Sequence, residues 1–190
     1  MTRLSCTAAS ILTMLTLAGV AGADTYKVDP VHSFALFSVH HFNAGNVWGR
    51  FNEPAGEFTL DPADPSKDSF HVELSVAKLD TANAKRDSDL KGPDWFNARQ
   101  FPAISFKSTG VKHGEGKSLD VTGDLTIHGV TKSVIVSVQV TGIAPGMGGR
   151  QLAGIEGTTT IKRSDFGMKA MPGGVGDEIR LIVALEAAKQ

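Results

Sequence analysis

The sequence predicts an all-β fold, an eight-stranded antiparallel barrel with one short helical insertion, and two observations point to it. Apolar and polar residues alternate with a period of two along most of the chain, the pattern of strands with one buried and one solvated face. The alternating runs number eight and are separated by clusters of Gly, Pro, Asn and Asp, which turns select. A barrel of about eight strands closes its own edges and leaves an interior just wide enough for side chains or one slender ligand. A two-sheet sandwich satisfies the alternation equally well.

At the N-terminus a basic Arg3 precedes an uncharged stretch from Ile11 to Val20 that ends in Ala21-Gly22-Ala23. This is the layout of a secretory signal over residues 1–23, with cleavage expected after Ala23. The apolar stretch is too short to span a bilayer, which takes ~20 apolar residues. Removing 23 of the 190 residues leaves 167, enough for one domain over 24–190. Cys6, the only cysteine, lies ahead of the apolar stretch, whereas a lipoprotein acceptor lies just beyond it. The mature part then has no thiol, which excludes disulfides, thiolate metal sites and cysteine nucleophiles. Loss of Arg3 takes the 19 basic and 20 acidic residues to 18 and 20, a net charge of −2. The charges are scattered, so no basic footprint for nucleic acid exists.

The first two strands fall near residues 31–42 and 49–60, and the third places Phe70, Val72, Leu74 and Val76 on one face. The connection from Lys78 to Gln100 is too long for a hairpin. Its run from Thr81 to Lys91 has the charge and alanine content of a short helix, and Trp95, Phe96 and Phe101 follow to dock it across one barrel end. Such a loop is either a functional lid or a structural plug. Another strand covers 102–111. The cleanest alternation comes next, with Leu119, Val121, Leu125 and Ile127 interleaved with Asp120, Thr122, Asp124 and Thr126. Val134, Val136, Val138 and Val140 form the following strand, and Ala144 to Gly149 a mobile turn. Strands at 151–161 and at Ile179, Leu181, Val183 and Leu185 complete the series. Between them Met168 to Gly174 form a loop whose methionines serve as gap fillers or touch an apolar ligand.

Catalytic constellations are absent from the pattern. His32, His40, His41, His71, His113 and His128 lack the spacing of a zinc site, so no metal is expected. Gly116-Lys117-Ser118 resembles the end of a phosphate loop, but the leading glycine would fall at Val111 and no helix follows. Asp165-Phe166-Gly167 spells a kinase tripeptide without the rest of its signature. No Gly-x-Ser-x-Gly elbow occurs. The sequence therefore points away from an enzyme and implies no cofactor.

A set of ordered segments carries a resemblance: Tyr26 to Ser33, Phe37 to His40, Arg86-Asp87 with Leu90, Trp95-Phe96, Phe101-Pro102, Gly123 to Lys132, Arg163 to Met168, and Val175 to Leu181. Together they span nearly the whole mature chain and resemble the YceI-like family. Two departures are Asp89, where the family commonly has histidine, and Trp95, where it usually has Phe. The resemblance implies a lipocalin-like barrel exported to the periplasm, whose apolar interior binds a polyisoprenoid such as a polyprenyl phosphate or a quinone tail. It brings no cofactor chemistry.

A carrier of this kind needs a long apolar lining. Candidates are Phe34, Leu36, Phe37, Val39, Phe42, Trp48, Phe51, Phe106 and Phe166, with Trp95 and Phe96 at the mouth; each could equally be ordinary core. Phe34 and Leu36 lie on one face of the first strand and Phe37 and Val39 on the other, so the inward face is open. Donors for a polar head group are expected at the rim from His32, His40, Arg50 and Arg86. The expected partner is a long-chain isoprenoid lipid or quinone, with transport of it as the role, no transmembrane span in the mature chain, and a homodimer possible. Rival readings are a lipid-modifying hydrolase or isomerase, and an interaction protein using the barrel as a scaffold.

Overall fold

In the computed structural model, which describes residues 22–115 and 118–190, the chain forms eleven strand segments and one short α-helix among those residues. They are β1 (Asp24–Val28), β2 (Phe34–His41), β3 (Gly45–Phe51), β4 (Ala55–Leu60), β5 (Ser69–Ser75), β6 (Leu79–Asp80), α1 (Ala84–Leu90), β7 (Ala103–His113), β8 (Ser118–Ile127), β9 (Val130–Pro145), β10 (Gln151–Lys162) and β11 (Val175–Lys189). The segment expected to be an export signal, apart from Gly22 and Ala23, and the Gly116-Lys117 pair lie outside the described residues.

Eleven segments make eight staves because three staves are broken. β1 pairs with β4 and β11, and β2 pairs with β3 and a different stretch of β11. β3 and β4 likewise share a stave, as do β5 and β6, which pair with β4 and β3 respectively. β7 to β11 run unbroken, each antiparallel to the next. The β1–β11 pairing, Tyr26 opposite Lys189 and Val28 opposite Ala187, closes the ring. The fold is thus a closed eight-stranded antiparallel barrel and not a sandwich.

Each break has a local cause. Asp29-Pro30 ends β1: Asp29 turns its carboxylate onto the Val31 N–H at 2.8 Å, and Pro30 has no N–H for the ladder. Glu53, at φ 57°, and Pro54 interrupt β3/β4, and a 3-10 turn at Val76–Lys78 separates β5 from β6. The strand expected at 31–42 therefore starts at Phe34, the one expected at 49–60 is interrupted, and β1 is an addition to the expected set. The chain also holds strand further than expected at Val130–Pro145, so the turn after it shrinks to Gly146–Arg150. The β8–β9 hairpin turns on His128 and Gly129, both left-handed (φ 52° and 73°), which matches the twist of the flanking strands.

The helix expected over 81–91 occupies Ala84–Leu90. Asn83 caps it by accepting from the Arg86 N–H at 2.9 Å, and Lys85 pairs with Asp89 at 2.9 Å one turn on. Gly92-Pro93 follow its end. One end of the barrel is filled by Tyr26, Phe58 and Phe70, whose rings stack at 5.6 and 6.1 Å beside the fully buried Val121 and Ala187. α1 lies at the other end, beside the β6 edge that β7 does not pair.

Candidate ligand-binding cavity

Strand alternation decides which side chains point inward. On β2 these are Ala35, Phe37, Val39 and His41, and on the facing β3 they are Val47, Gly49 and Phe51. Gly49 stands opposite Phe37, and a Cβ there would collide with the Phe37 ring. Gly123 of β8 similarly leaves room for Phe106 of β7 to lie across it. Val72 and Leu74, Val134 and Val136, and Leu181 and Val183 complete the walls from β5, β9 and β11.

These side chains do not meet in the middle. They enclose a cavity of about 990 Å³, at the upper end of the ~300–1,000 Å³ of small-molecule sites. Val72, Leu74, Val134, Val136, Leu181 and Val183 are only half-buried although they line the interior, because their free surface faces the hollow. Phe70, Val138, Ile155 and Leu185 line its deep end, above the stacked Tyr26 and Phe58.

The mouth is different in character. Thr81, Arg86, Ser88, Asp89 and Leu90 reach it from α1 and its approach, and Asp94, Trp95 and Phe96 from the segment behind. Phe96 packs edge-on against Phe51 at 5.6 Å, which ties the insertion to the barrel wall. Thr81 fixes α1: its N–H and hydroxyl donate to Asp87 Oδ1 at 2.8 and 2.5 Å. Arg86 donates back to Thr81 Oγ1 and its carbonyl at 2.8 and 2.7 Å. Across the mouth stand His41, Met168, Ala170, Met171 and the buried Arg163, whose guanidinium lies 5.4 Å from the Trp95 ring.

Of the residues expected to line the lumen, Leu36, Phe37, Val39, Phe51, Trp95, Phe96 and Phe106 border the cavity. Four do not. Phe34 and Trp48 sit on outward positions of β2 and β3 and are 44% and 48% exposed; Phe42 caps the β2–β3 hairpin in a left-handed conformation at 61% exposure. Phe166 is buried in the core beside the cavity, in a 3-10 turn that left-handed Gly167 ends. Among the expected rim donors only Arg86 borders the cavity. His40 points outward on β2, and Arg50 pairs with Asp80 at 3.0 Å outside the barrel. His32 is bound to Asp29 at 2.9 Å, on the exterior corner between β1 and β2. There Asp29, His32 and Glu186 place potential metal-ligating atoms within 4.8 Å of one another, but Asp29 is already engaged by Val31 and His32.

Sequence reasoning missed His41, Arg163 and the valines and leucines of β5, β9 and β11. The alternation already placed Val134, Val136, Leu181 and Val183 on one face; weighting aromatic residues over aliphatic ones hid them.

Among the described residues no helix is long and apolar enough to cross a membrane. A family model described as the YceI-like domain matches residues 26–187. A UPF0312 protein from Pseudomonas aeruginosa (strain LESB58) is 38% identical over 175 residues, covering 91% of each chain. The crystal structure of BcnA from Burkholderia cenocepacia superposes with a TM-score of 0.77 at 26% identity, over 84% of this chain and 99% of that one. A polyisoprenoid binding domain from Saccharophagus degradans shares the fold, with a TM-score of 0.65 at 14% identity over 87% of this chain and 98% of its own. A closed barrel around an apolar hollow, matched from Tyr26 to Ala187, places this chain in the YceI-like family.

Proposed function

We propose that the barrel is a periplasmic carrier that holds one long, slender apolar molecule, a polyisoprenoid or a similar amphiphile, and does no chemistry on it. The observation that carries this reading is the set of inward-facing valines and leucines whose surfaces are exposed only to the hollow. Such surface is the most favourable place in the molecule for an apolar chain, because covering it removes apolar area on both partners from water.

The same arithmetic selects for length. Each buried methylene gains ~0.8 kcal/mol, and association costs ~4 to 15 kcal/mol before net affinity appears. Ten carbons barely repay that cost; twenty or more gain ~16 kcal/mol by the same figure. In this reading the chain lies against Phe37, Val39, Phe51 and Phe106, with Trp95 and Phe96 over its outer end and Arg86 at the rim. The polyisoprenoid binding domain of similar fold supports the ligand class, and the N-terminal signal layout supports export.

Organic extraction of the protein purified from a periplasmic fraction, followed by mass spectrometry, tests the reading. A long-chain isoprenoid recovered in near-stoichiometric amount is the expected result. Recovery of no lipid, together with failure of the delipidated protein to bind any prenol, would overturn it.

A further inference from the structure

We propose that the cavity mouth docks onto an anionic lipid bilayer, with Phe42 and Met171 entering the bilayer surface, so that the carried chain passes between membrane and barrel without crossing water. The inference rests on the lipid-carrier reading of the cavity. By the same gain per buried carbon, a free chain of twenty carbons favours an apolar phase over water by a factor on the order of 10¹¹. Ligand dissolved in water is therefore too scarce to load a carrier, and the mouth must touch the phase that holds it. Antiparallel staves gather the β2–β3 turn, the 76–102 connection, the β8–β9 turn and the 163–174 segment at this one end.

Phe42 and Met171 are 61% and 51% exposed, and they form one patch instead of two scattered side chains. A Cβ on Gly174 would stand 3.3 Å from both the Met171 methyl and the Phe42 ring, so the two tips converge above it. The loops that carry them are tied together: the Phe42 N–H donates to the Gly174 carbonyl at 2.8 Å, and the Gly174 N–H to the Met171 carbonyl at 3.1 Å. Met171 also borders the cavity, as do Met168 and Ala170, so apolar surface runs from the lining over the rim to Phe42. Both residues hold left-handed backbone, at φ 48° and 50°, a conformation that disfavours bulky side chains. Their apolar groups face water against that preference, and strain joined to apolar exposure is what a surface with a partner shows.

The charge of this end suits an anionic surface. Its loops, 42–44, 76–102, 128–129 and 163–174, hold seven basic and five acidic residues, a net charge of +2 where the mature chain carries −2. Among the described residues no salt bridge engages Lys91, Arg99 or Lys169. Each cation close to an anionic bilayer adds about fivefold to binding. An apolar tip set among cations is the composition by which proteins lie on such a surface.

Flotation of the mature protein with vesicles of phosphatidylethanolamine and phosphatidylglycerol tests the docking, with geranylgeraniol as the carried chain. The parent is expected to float with these vesicles and to pass geranylgeraniol to them at a rate that rises with vesicle concentration. Phe42→Asn suits a left-handed turn better than phenylalanine does, so it should melt no lower than the parent while binding vesicles about tenfold more weakly. Its affinity for geranylgeraniol should be unchanged, because Phe42 does not line the cavity. Lys169→Glu should weaken vesicle binding at least about fivefold, a loss that vanishes on neutral phosphatidylcholine vesicles. Met147, 97% exposed in the turn at the opposite end, and Trp48, on the outer wall, serve as controls: Met147→Gln and Trp48→Gln should float as the parent does. A transfer rate independent of vesicle concentration, undiminished flotation of Phe42→Asn, or an equal loss in either control would each overturn docking through the mouth while leaving the carrier reading intact. So would a parent that fails to float but forms a dimer that Phe42→Asn dissociates, since the patch would then belong to a second copy. A parent that takes up no geranylgeraniol would remove the carrier reading, and the inference with it.

Discussion

At the corner where β1 gives way to β2, Asp29 does three jobs. Its N–H donates to the Glu186 carbonyl at 2.8 Å, Oδ1 accepts from the Val31 N–H, and Oδ2 takes the His32 ring at 2.9 Å. Ser33 completes the joint by exchanging hydrogen bonds with Glu186 in both directions. The Asp-Pro-Val-His-Ser run is therefore a hinge pin that stitches the broken first stave to β11. The hydrogen bond and charge of Asp29 raise the His32 pKa above its ordinary 6.5, and His32 in turn lowers that of Asp29 below 3.8. The signs set the window. The His32 contribution is complete below about pH 6.5 and is lost as pH rises through the raised value. The Asp29 contribution is complete above about pH 3.8 and is lost as pH falls through the lowered one. Titration of the His32 ring followed by NMR should give a midpoint above 6.5 that falls in Asp29→Asn; an unshifted midpoint in the parent protein would contradict the pairing. At this scale the sequence was a partial guide. It identified Phe37, Val39, Phe51 and Phe106, but an aromatic side chain does not announce its side of a strand. Phe34 and Trp48 put apolar rings on the outer face of β2 and β3 as well.

Among the elements, α1 is held by one residue that precedes it. Thr81 is clasped by Asp87 from one side and Arg86 from the other, so the helix sits over the mouth as a stapled lid. Seven residues are too few to be a stable helix alone, and the staple with the Phe96–Phe51 contact supplies what propensity cannot. Asp87→Ala leaves the partly buried Thr81 N–H without its acceptor, at a cost of ~1–3 kcal/mol. The expected outcome is faster amide exchange across 84–90 and ligand release quickened by about tenfold, with β7 to β11 as protected as before. Protection lost equally throughout the barrel would show that α1 is part of the core and not a lid. The insertion was legible because its charge and alanine content break the period-two pattern around it. The broken staves were not: Pro30, Glu53-Pro54 and the turn at Val76–Lys78 show where a run stops, but not that the chain resumes in the same stave. That depends on partners far away in sequence, such as β11 serving β1 at one end and β2 at the other.

For the whole molecule the hollow is a trade between stability and capacity. Gly157 on β10 faces inward, and its lack of a side chain makes room for the methyls of Val183 and Val136, which lie 2.9 and 3.1 Å from where its Cβ would stand. A cavity of this size forgoes the contacts that a packed core would make, and a bound chain restores them. A ligand present at 100 times its dissociation constant adds ~2.7 kcal/mol. For a domain of this length that raises the melting temperature by roughly 5–10 °C. Val136→Phe with Val183→Phe should direct two rings into the hollow from facing walls and block its mid-section with protein. The double variant is expected to melt within a few degrees of the empty parent, since new apolar contacts offset the crowding of larger side chains, and to show no further rise when a prenol is added. If the ligand still raised its melting temperature by the full parental amount, the chain would have to be bound on the outside of the barrel, and the hollow would have no part in carrying it.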